Sequence, residues 1–359
     1  MTTLTTVEQI LDLARWAPSG DNTQPWRFEI IDESNVVVHG FDTREHCVYD
    51  LDGHASQISL GALLETMAIA ASAHGWRMQA QRRLDIDESK PTFNVRFEPD
   101  ASVRADPLIT AIQRRSVQRR PMSVRPLTAT EKQALEASVG TNYRIVWLEG
   151  FGNKLRTARL MFNNAKLRLT MPEAYEVHRS VIQWKARYST DRVPDQALGV
   201  DPVTAALMRW VMQSWARVDF FNKFLAGTWA PRIQMDFIPG LACAAHFLIV
   251  AKQAPASVDD YVAVGRSVQR FWLTLTHLGL VMQPELTPLI FSRYVRERTQ
   301  FSRTNGMYEF ASRLSKQLGA LVGEQEGTLG VFMGRVGAGS KAVSRSTRLT
   351  LADLIVSTQ

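Results

Sequence analysis

Apolar residues recur at helical spacing near the start of the chain, which predicts an amphipathic helix with one buried face. The residues on that face are Val7, Ile10, Leu11 and Ala14. A segment rich in Pro, Gly, Asp and Asn follows at residues 17–26 and is typical of a turn. A strand is predicted directly after it, over residues 27–31.

Two long apolar runs further along the chain share one layout. Gly61 begins a nearly continuous apolar run, and Gly75 follows fourteen residues later. Gly265 begins a similar run, and Gly279 again follows fourteen residues later. Each run is typical of a long buried helix that ends at a capping glycine and leads into a short strand.

A later strand is predicted in each copy, because apolar and polar residues alternate at residues 92–98 and 328–335. The shared order of helix, glycine, short strand and later strand favours an internal duplication over coincidence. We expect the first half to span residues 1–104 and the second half residues 105–359, with a polar crossover between them.

The second half is longer because its predicted strands at residues 143–148 and 246–251 enclose a helical insertion at about residues 152–234. Apolar residues at helical spacing in this insertion predict one long helix that packs in the core. The residues of this stripe are Leu207, Val211, Trp215, Val218, Phe221 and Leu225.

Composition indicates an ordinary globular protein large enough for two domain-sized units, with 359 residues, 45% hydrophobic and 21% charged. Cys47 and Cys243 lie far apart, so neither a disulfide framework nor a zinc site is predicted. The seven histidines show no metal-ligand spacing, and His246 and His277 are interpreted as core or cap residues. No metal site is expected.

Targeting and membrane signals are not apparent in the sequence. The first nine residues lack a basic and apolar leader pattern, so we expect a cytoplasmic protein that starts at Met1. Residues 60–73 are too short to span a bilayer, and residues 203–227 carry four charged side chains. We therefore expect no membrane partner.

The net charge of +7 is concentrated in two short arginine clusters, at residues 114–125 and 335–348. A solvated basic face is the ordinary explanation for either cluster alone. Because each adjoins a recognisable element, both are more typical of phosphate ligands than of a nucleic-acid surface. We expect no nucleic-acid partner.

The turn at residues 17–26 reads APSGDNTQPW and resembles the A-P-S-x-x-N-x-Q-P-W signature of the FMN-dependent nitroreductase superfamily. The resemblance implies an α+β, nitroreductase-like fold in which this loop lies against the flavin ring. The residues that it implies as ring ligands are Pro18, Ser19, Gly20 and Asn22. Small residues allow close backbone approach, and an amide can both donate and accept hydrogen bonds.

Phosphate ligands are implied by two further resemblances. Residues 112–120 resemble the family's R-x-S-x-R/K element, with Arg114 and Ser116 in register. Gln118 stands where a cation is usual, so either Arg119 substitutes for it or phosphate binding is weaker. Residues 345–353 resemble the family's C-terminal K-x-R-L-P-L-E-D.

In that C-terminal resemblance Arg348 is in register and Arg345 is one place off. A planar guanidinium matches a phosphate through two parallel hydrogen bonds, which favours Arg348 as a ligand. Pro284 and Glu285 resemble the family segment whose backbone amide points at flavin N5.

These elements are divided between the halves. The first half carries the ring loop and lacks the R-x-S element, whereas the second half has the R-x-S element and only a degenerate loop at residues 138–142. The resemblance therefore implies one FMN held between two halves of a monomeric, intrachain pseudo-dimer. This arrangement is similar to the mycobacterial Acg-type branch and to relatives labelled MoeY.

Two functional hypotheses follow from the resemblance. The first is an FMN-dependent oxidoreductase in which hydride passes through flavin N5 between NAD(P)H, or an organic donor, and a small organic substrate. A variant is an auxiliary dehydrogenase that works beside an adenylating enzyme. The second is a flavin-storing or non-turnover protein whose lid, marked by tryptophans in the insertion, occludes the site. No catalytic side chain is assigned in either, since the flavin does the chemistry.

Overall fold

A computed structural model describes residues 4–356 and contains two four-stranded antiparallel sheets. The first sheet has the order β1-β2-β4-β3, with strands β1 (Trp26–Ile30), β2 (Asn35–Gly40), β3 (Trp76–Arg82) and β4 (Thr92–Pro99). The second has the order β10-β11-β9-β5, with strands β5 (Tyr143–Leu148), β9 (Ala245–Ala251), β10 (Leu280–Pro284) and β11 (Gly330–Ala338). Helices accompany both sheets, so the predicted α+β class is confirmed.

Four short strands form two parallel pairs, β6 with β8 and β7 with β12. Their bounds are β6 (Ile182–Gln183), β7 (Tyr188–Ser189), β8 (Val193–Pro194) and β12 (Arg345–Ser346). Outside the insertion the helices are α1 (Thr6–Ala14), α2 (His54–Ser72), α3 (Ala129–Ser138), α10 (Val258–His277), α11 (Thr287–Glu297), α12 (Met307–Val322), α13 (Glu324–Leu329) and α14 (Leu351–Leu354).

Helix α1 confirms the amphipathic pattern, because all four residues of its predicted apolar face are buried against the first sheet. The helix begins at a capping box, in which the Thr5 hydroxyl accepts the N–H of Glu8 and the Glu8 carboxylate accepts the N–H of Thr5.

The two long apolar runs form α2 and α10, which pack directly against each other. Each helix starts seven residues before its predicted glycine, at His54 and Val258, so Gly61 and Gly265 occupy the same position in both. A side chain at Gly61 would overlap the Val262 carbonyl, and one at Gly265 would overlap the Ile58 carbonyl. The two glycines therefore lie where the helices cross at backbone contact distance.

The strand predicted at residues 328–335 begins later than expected. Residues 324–329 form α13, in which the Thr328 hydroxyl donates to the Glu324 carbonyl, and β11 starts at Gly330 and runs to Ala338. The strand extends further because it lies centrally in its sheet and pairs with both β9 and β10. The strand predicted at residues 143–148 is found at those residues.

The helical insertion joins β5 to β9. Its helices are α4 (Gly150–Leu169), α5 (Pro172–Val181), α6 (Pro202–Val211), α7 (Trp215–Phe224), α8 (Trp229–Arg232) and α9 (Ile238–Leu241), with a π-helix at Ile233–Phe237. The prediction of one long core helix in this region is wrong. Ser214 caps a new helix at Trp215, and the stripe falls on two helices, of which α6 has no buried residue and α7 buries only Val218.

The C-terminal segment returns to the first sheet. Ile355 bridges to Phe28, the Val356 N–H donates to the Phe28 carbonyl, and Leu351 and Leu354 join the core that covers this sheet. Segments from both ends of the chain therefore pack together on the first sheet. No helix within residues 4–356 combines the length and apolarity needed to cross a membrane.

Candidate functional site

The loop after α1 is held in an unusual backbone conformation. Asp21, Asn22 and Gln24 have φ values of 48°, 66° and 50°, in the left-handed region that non-glycine residues seldom adopt. The Ser19 hydroxyl accepts the Gln24 N–H at 2.9 Å and braces the loop. Backbone strain of this kind persists only where the surroundings impose it, and it is typical of functional sites.

Asn22 is buried within this loop and is only partly satisfied. Its side-chain N–H₂ donates to the carbonyls of Thr190 at 3.0 Å and Arg192 at 3.3 Å. Its Oδ1 is buried and accepts no hydrogen bond from any residue in the range 4–356. The donor half of the amide is thus occupied by the protein itself, and the acceptor half is left for a ligand.

Residues 187–193 of the insertion, which we call the strap, connect this loop to the C-terminal segment. Gln24 Nε2 donates to the Thr190 carbonyl at 2.9 Å. On the other side the Thr347 N–H donates to the Ser189 carbonyl at 2.7 Å, within the parallel pairing of β7 and β12. The strap was not predicted from sequence, because short parallel pairs leave no hydrophobic pattern.

Three arginines meet beside the same loop. Arg348 donates twice to the Ala17 carbonyl, through Nε at 2.9 Å and Nη2 at 2.8 Å. Arg115 donates to the Trp16 carbonyl at 3.0 Å, and Arg345 lies over the Trp16 ring at 5.0 Å. We refer to Arg115, Arg345 and Arg348 as the arginine cluster.

The arginine cluster carries uncompensated charge. Arg115 is 6% exposed and Arg348 is 8% exposed, and no member of the cluster forms a salt bridge within the described part of the chain. Burial and the nearby Arg345 and Arg15 lower the pKa of Arg348 to about 9. Burial, Arg348 and Arg345 also depress the pKa of Arg115. Because unpaired buried cations are costly, the cluster is suited to an anionic ligand.

The R-x-S element is only partly represented in this cluster. Arg114 is exposed, whereas its neighbour Arg115 is buried and donates to the Trp16 carbonyl. The Ser116 hydroxyl lies 3.4 Å from the Val117 carbonyl. Arg119 donates to the Ala197 carbonyl at 3.2 Å, and burial lowers its pKa to about 10. The doubled arginine at 114–115 was the available sequence signal for Arg115.

Pro284 and Glu285 do not offer the free backbone amide that the resemblance implied. Pro284 has no N–H, and the Glu285 N–H donates to the Met333 carbonyl at 2.8 Å. The Glu285 carboxylate is buried and bonds His246 Nδ1 and Arg335 Nη1, each at 2.7 Å. Burial opposes its ionisation, but His246 and Arg335 outweigh this effect and lower the pKa of Glu285. The segment is part of the sheet and of a charge network, and its assignment as a flavin contact stays a prediction.

A second polar group that the sequence did not reveal lies near the loop. Tyr49 Oη lies 2.9 Å from His178 Nε2, which joins the first half to the insertion. Burial, with a smaller effect of Arg168, lowers the pKa of His178 to about 3. Burial raises the pKa of Asp21, although Arg119 and Arg168 oppose this. The residues share no motif, and only folding brings them together.

Within residues 4–356, no group of three His, Cys, Asp or Glu side chains is placed so that it could hold a metal ion. Cys47 and Cys243 are free thiols, and burial, with a smaller contribution from Asp21, raises the pKa of Cys47 to about 12. Such a thiol is neutral and unreactive at physiological pH.

Comparison with known proteins gives one family match, in which residues 2–51 match the model of the Nitroreductase family. A Mycobacterium tuberculosis H37Rv protein with the provisional designation NAD(P)H nitroreductase Rv3131 is 32% identical over 123 residues, covering 34% of this chain and 36% of the relative. The protein MT3217 of strain CDC 1551 matches equally and has the same provisional designation.

An uncharacterized protein of strain CDC 1551, MT1398, is 22% identical over 320 residues, which cover 87% of this chain and 42% of the relative. The chain thus matches less than half the length of each of these relatives.

Proposed function

We propose that this chain is an FMN-dependent oxidoreductase of the nitroreductase type, which is supported by the match of residues 2–51 to the Nitroreductase family model and by the 32% identity over 123 residues to a relative provisionally designated NAD(P)H nitroreductase. It would transfer hydride between NAD(P)H, or an organic donor, and a small organic substrate. The observation that carries the proposal is the arginine cluster beside a strained loop whose Asn22 Oδ1 is buried without a donor.

The chemistry of the side chains fits FMN at both ends of the cofactor. A phosphate would neutralise the cluster of Arg115, Arg345 and Arg348, since charge-assisted hydrogen bonds from guanidinium to phosphate are among the strongest in proteins. A ring N–H would satisfy Asn22 Oδ1, whose burial otherwise costs free energy. Arg114 and Ser116 stay proposed as further phosphate ligands, and Pro18, Ser19 and Gly20 as ring contacts.

Bound FMN would supply the hydride chemistry through its ring. The protein would contribute binding, orientation and protection from water. The arginine cluster would hold the anionic end, and the loop braced by Ser19 would present the Asn22 acceptor to the ring. Tyr49 keeps its proton at Oη beside His178, and burial raises the pKa of Tyr49 further above its ordinary value.

A pseudo-dimer within one chain is part of the proposal, with halves at residues 1–104 and 105–359. It is supported by the crossing of α2 and α10 at equivalent glycines, which buries within the chain a surface of the kind that joins subunits. A cytoplasmic location and a role beside an adenylating enzyme stay predictions.

The alternative is a flavin-storing protein with an occluded site. It is favoured by one observation, the hydrogen bonds of Asn22 and Gln24 to the Thr190 carbonyl, which fasten the strap to the loop. A strap that stays closed would exclude nicotinamide and substrate without preventing flavin binding.

Anaerobic reduction of the purified protein separates the two functions. We expect a yellow protein whose flavin absorbance bleaches on addition of NADH or NADPH. Bleaching by dithionite alone would favour the occluded, non-turnover alternative. A colourless protein that takes up no added FMN would disprove both functions.

A further inference from the structure

The insertion exposes a continuous apolar surface, which we call the insertion patch. Its members on α6 are Val203, Leu207 and Trp210, whose spacing of four and three residues places them on one helical face. Its members on α7 are Phe220 and Phe224, whose rings lie 5.2 Å apart. Val203 is 79% exposed and Phe224 is 71% exposed, although side chains of this kind are usually buried.

The patch is continuous across both helices. The Trp210 ring contacts Phe221 at 5.7 Å, and Phe221 contacts Phe220 at 6.2 Å. Two hydrogen bonds anchor the pair from behind, from Tyr175 Oη to the Met212 carbonyl at 3.1 Å and from Asn222 to the Leu169 carbonyl at 2.8 Å. These contacts attach the two helices to the rest of the insertion and leave the insertion patch exposed.

Positive charge without a counter-ion borders the patch. Arg217 lies over the Trp210 ring at 4.6 Å and has no ion pair within residues 4–356. The acids are engaged elsewhere, because Asp219 pairs with Lys223 at 2.7 Å and Asp201 caps α6. The whole chain carries a net charge of +7.

We propose that the insertion patch binds the surface of an anionic lipid bilayer, with the aromatic side chains in the headgroup region and Arg217 on a lipid phosphate. Amphipathic helices with Trp, Phe and Leu on one face and cations beside them are typical of such interfacial contacts. A second copy of the chain fits less well, because a symmetric contact would bring like-charged arginines of both copies together. This proposal departs from the expectation of no membrane partner.

Vesicle flotation of the full chain tests the proposal. We expect the protein to float with vesicles of phosphatidylglycerol and phosphatidylcholine, and to bind pure phosphatidylcholine at least about tenfold less strongly. Raising the salt concentration should weaken binding, since exposed charges are screened. Failure to float with the phosphatidylglycerol vesicles would overturn the proposal.

Matched variants locate the contact. The double variant Phe220→Ser with Phe224→Ser should lower vesicle binding about tenfold or more, because it removes two apolar side chains from the interface. The variant Phe151→Ser is the control, since Phe151 is 70% exposed but lies outside the patch. Equal losses in both would contradict the assignment. Light scattering that shows a dimer which the double variant dissolves would assign the patch to a second copy instead.

Discussion

Uncompensated charge is the main property of the residues around the loop at Pro18 to Asn22. Arg348 directs three of its five N–H donors to the Ala17 and Thr347 carbonyls and keeps two for a ligand. The Arg115 guanidinium lies 4.5 Å from the centre of the Trp272 ring. Neutral partners of this kind position a guanidinium without cancelling its charge. The cluster is therefore prepared for an anion, and its members can be tested one by one.

The variant Arg348→Ala should bind FMN about ten- to a hundredfold more weakly, because it removes a charge-assisted contact with the phosphate worth about 1.5 to 3 kcal/mol. Riboflavin, which has no phosphate, should bind about as well as it binds the parent. Titration of the apo-protein with both flavins measures this difference. Arg120→Ala, at an exposed arginine near the cluster, is the control. An equal loss of both flavins in Arg348→Ala would refute the phosphate assignment.

The variant Asn22→Ala should weaken FMN and riboflavin together, because Oδ1 is the unsatisfied acceptor that the ring would use. The substitution also removes two hydrogen bonds that hold the strap against the loop. Access of NAD(P)H to the flavin should therefore not decrease, and bleaching should not be slowed by a closed strap. The same flavin titration measures the affinities. A loss of FMN with unchanged riboflavin would show that Asn22 lies at the phosphate end.

His178 should make folding sensitive to acid. Its folded pKa of about 3 lies below the usual value of 6.5, so the unfolded chain takes up the proton first as the pH falls. The stabilisation is complete above pH 6.5 and is lost progressively as the pH falls towards 3. Urea unfolding of His178→Gln should therefore show less loss of stability between pH 7 and pH 4 than the parent shows. Parallel pH profiles for the two proteins would argue against this assignment.

Helix crossings dominate at the scale of the elements. The variant Gly61→Ala should be destabilised by about 3 kcal/mol or more, because the new methyl overlaps the Val262 carbonyl on the facing helix. Gly152→Ala is the matched control, since Gly152 lies in α4 with open space around it and alanine favours a helix. Thermal melting of both variants tests the crossing, and equal stabilities would show that the two helices separate easily.

Apolar side chains are more exposed in the helices α6 and α7 of the insertion than in the central strands of the sheets. Strand β9 is buried along its whole length, whereas α6 buries none of its ten residues. Both are rich in apolar residues, so composition alone could not distinguish them. The difference arises because β9 lies centrally in a sheet covered by helices, and α6 is held from one side only.

Complementation tests the whole molecule. In a dimer that shares its sites between subunits, a mixture of Asn22→Ala and Arg348→Ala chains would contain some intact sites. In this protein Asn22 and Arg348 of the same chain lie beside the same loop, so each site in the mixture would lack one of them. We therefore expect the mixture to bind FMN no better than either variant. We also expect about one FMN per chain of the parent, measured by release and quantitation. A value near two, or recovery on mixing, would contradict the single-chain site.

The periodicity of the chain by itself determined the helix α1, the two glycine-containing helices and the strand at residues 143–148. It did so because a 3.6-residue or 2-residue repeat needs no knowledge of partners. The loop string at residues 17–26 determined the family resemblance. The same string could not show that the Asn22 N–H₂ is used by the strap, since Thr190 and Arg192 lie far away in the sequence.

Tertiary structure decided which members of each pattern meet. It brought Arg115, Arg345 and Arg348 to one loop, closed the Glu285 N–H into a sheet, and left α6 uncovered. Each of these outcomes depends on contacts between segments that are distant in the chain. Hydrogen bonds, burial and shared charge are properties of such contacts, so residue type and spacing alone do not determine them.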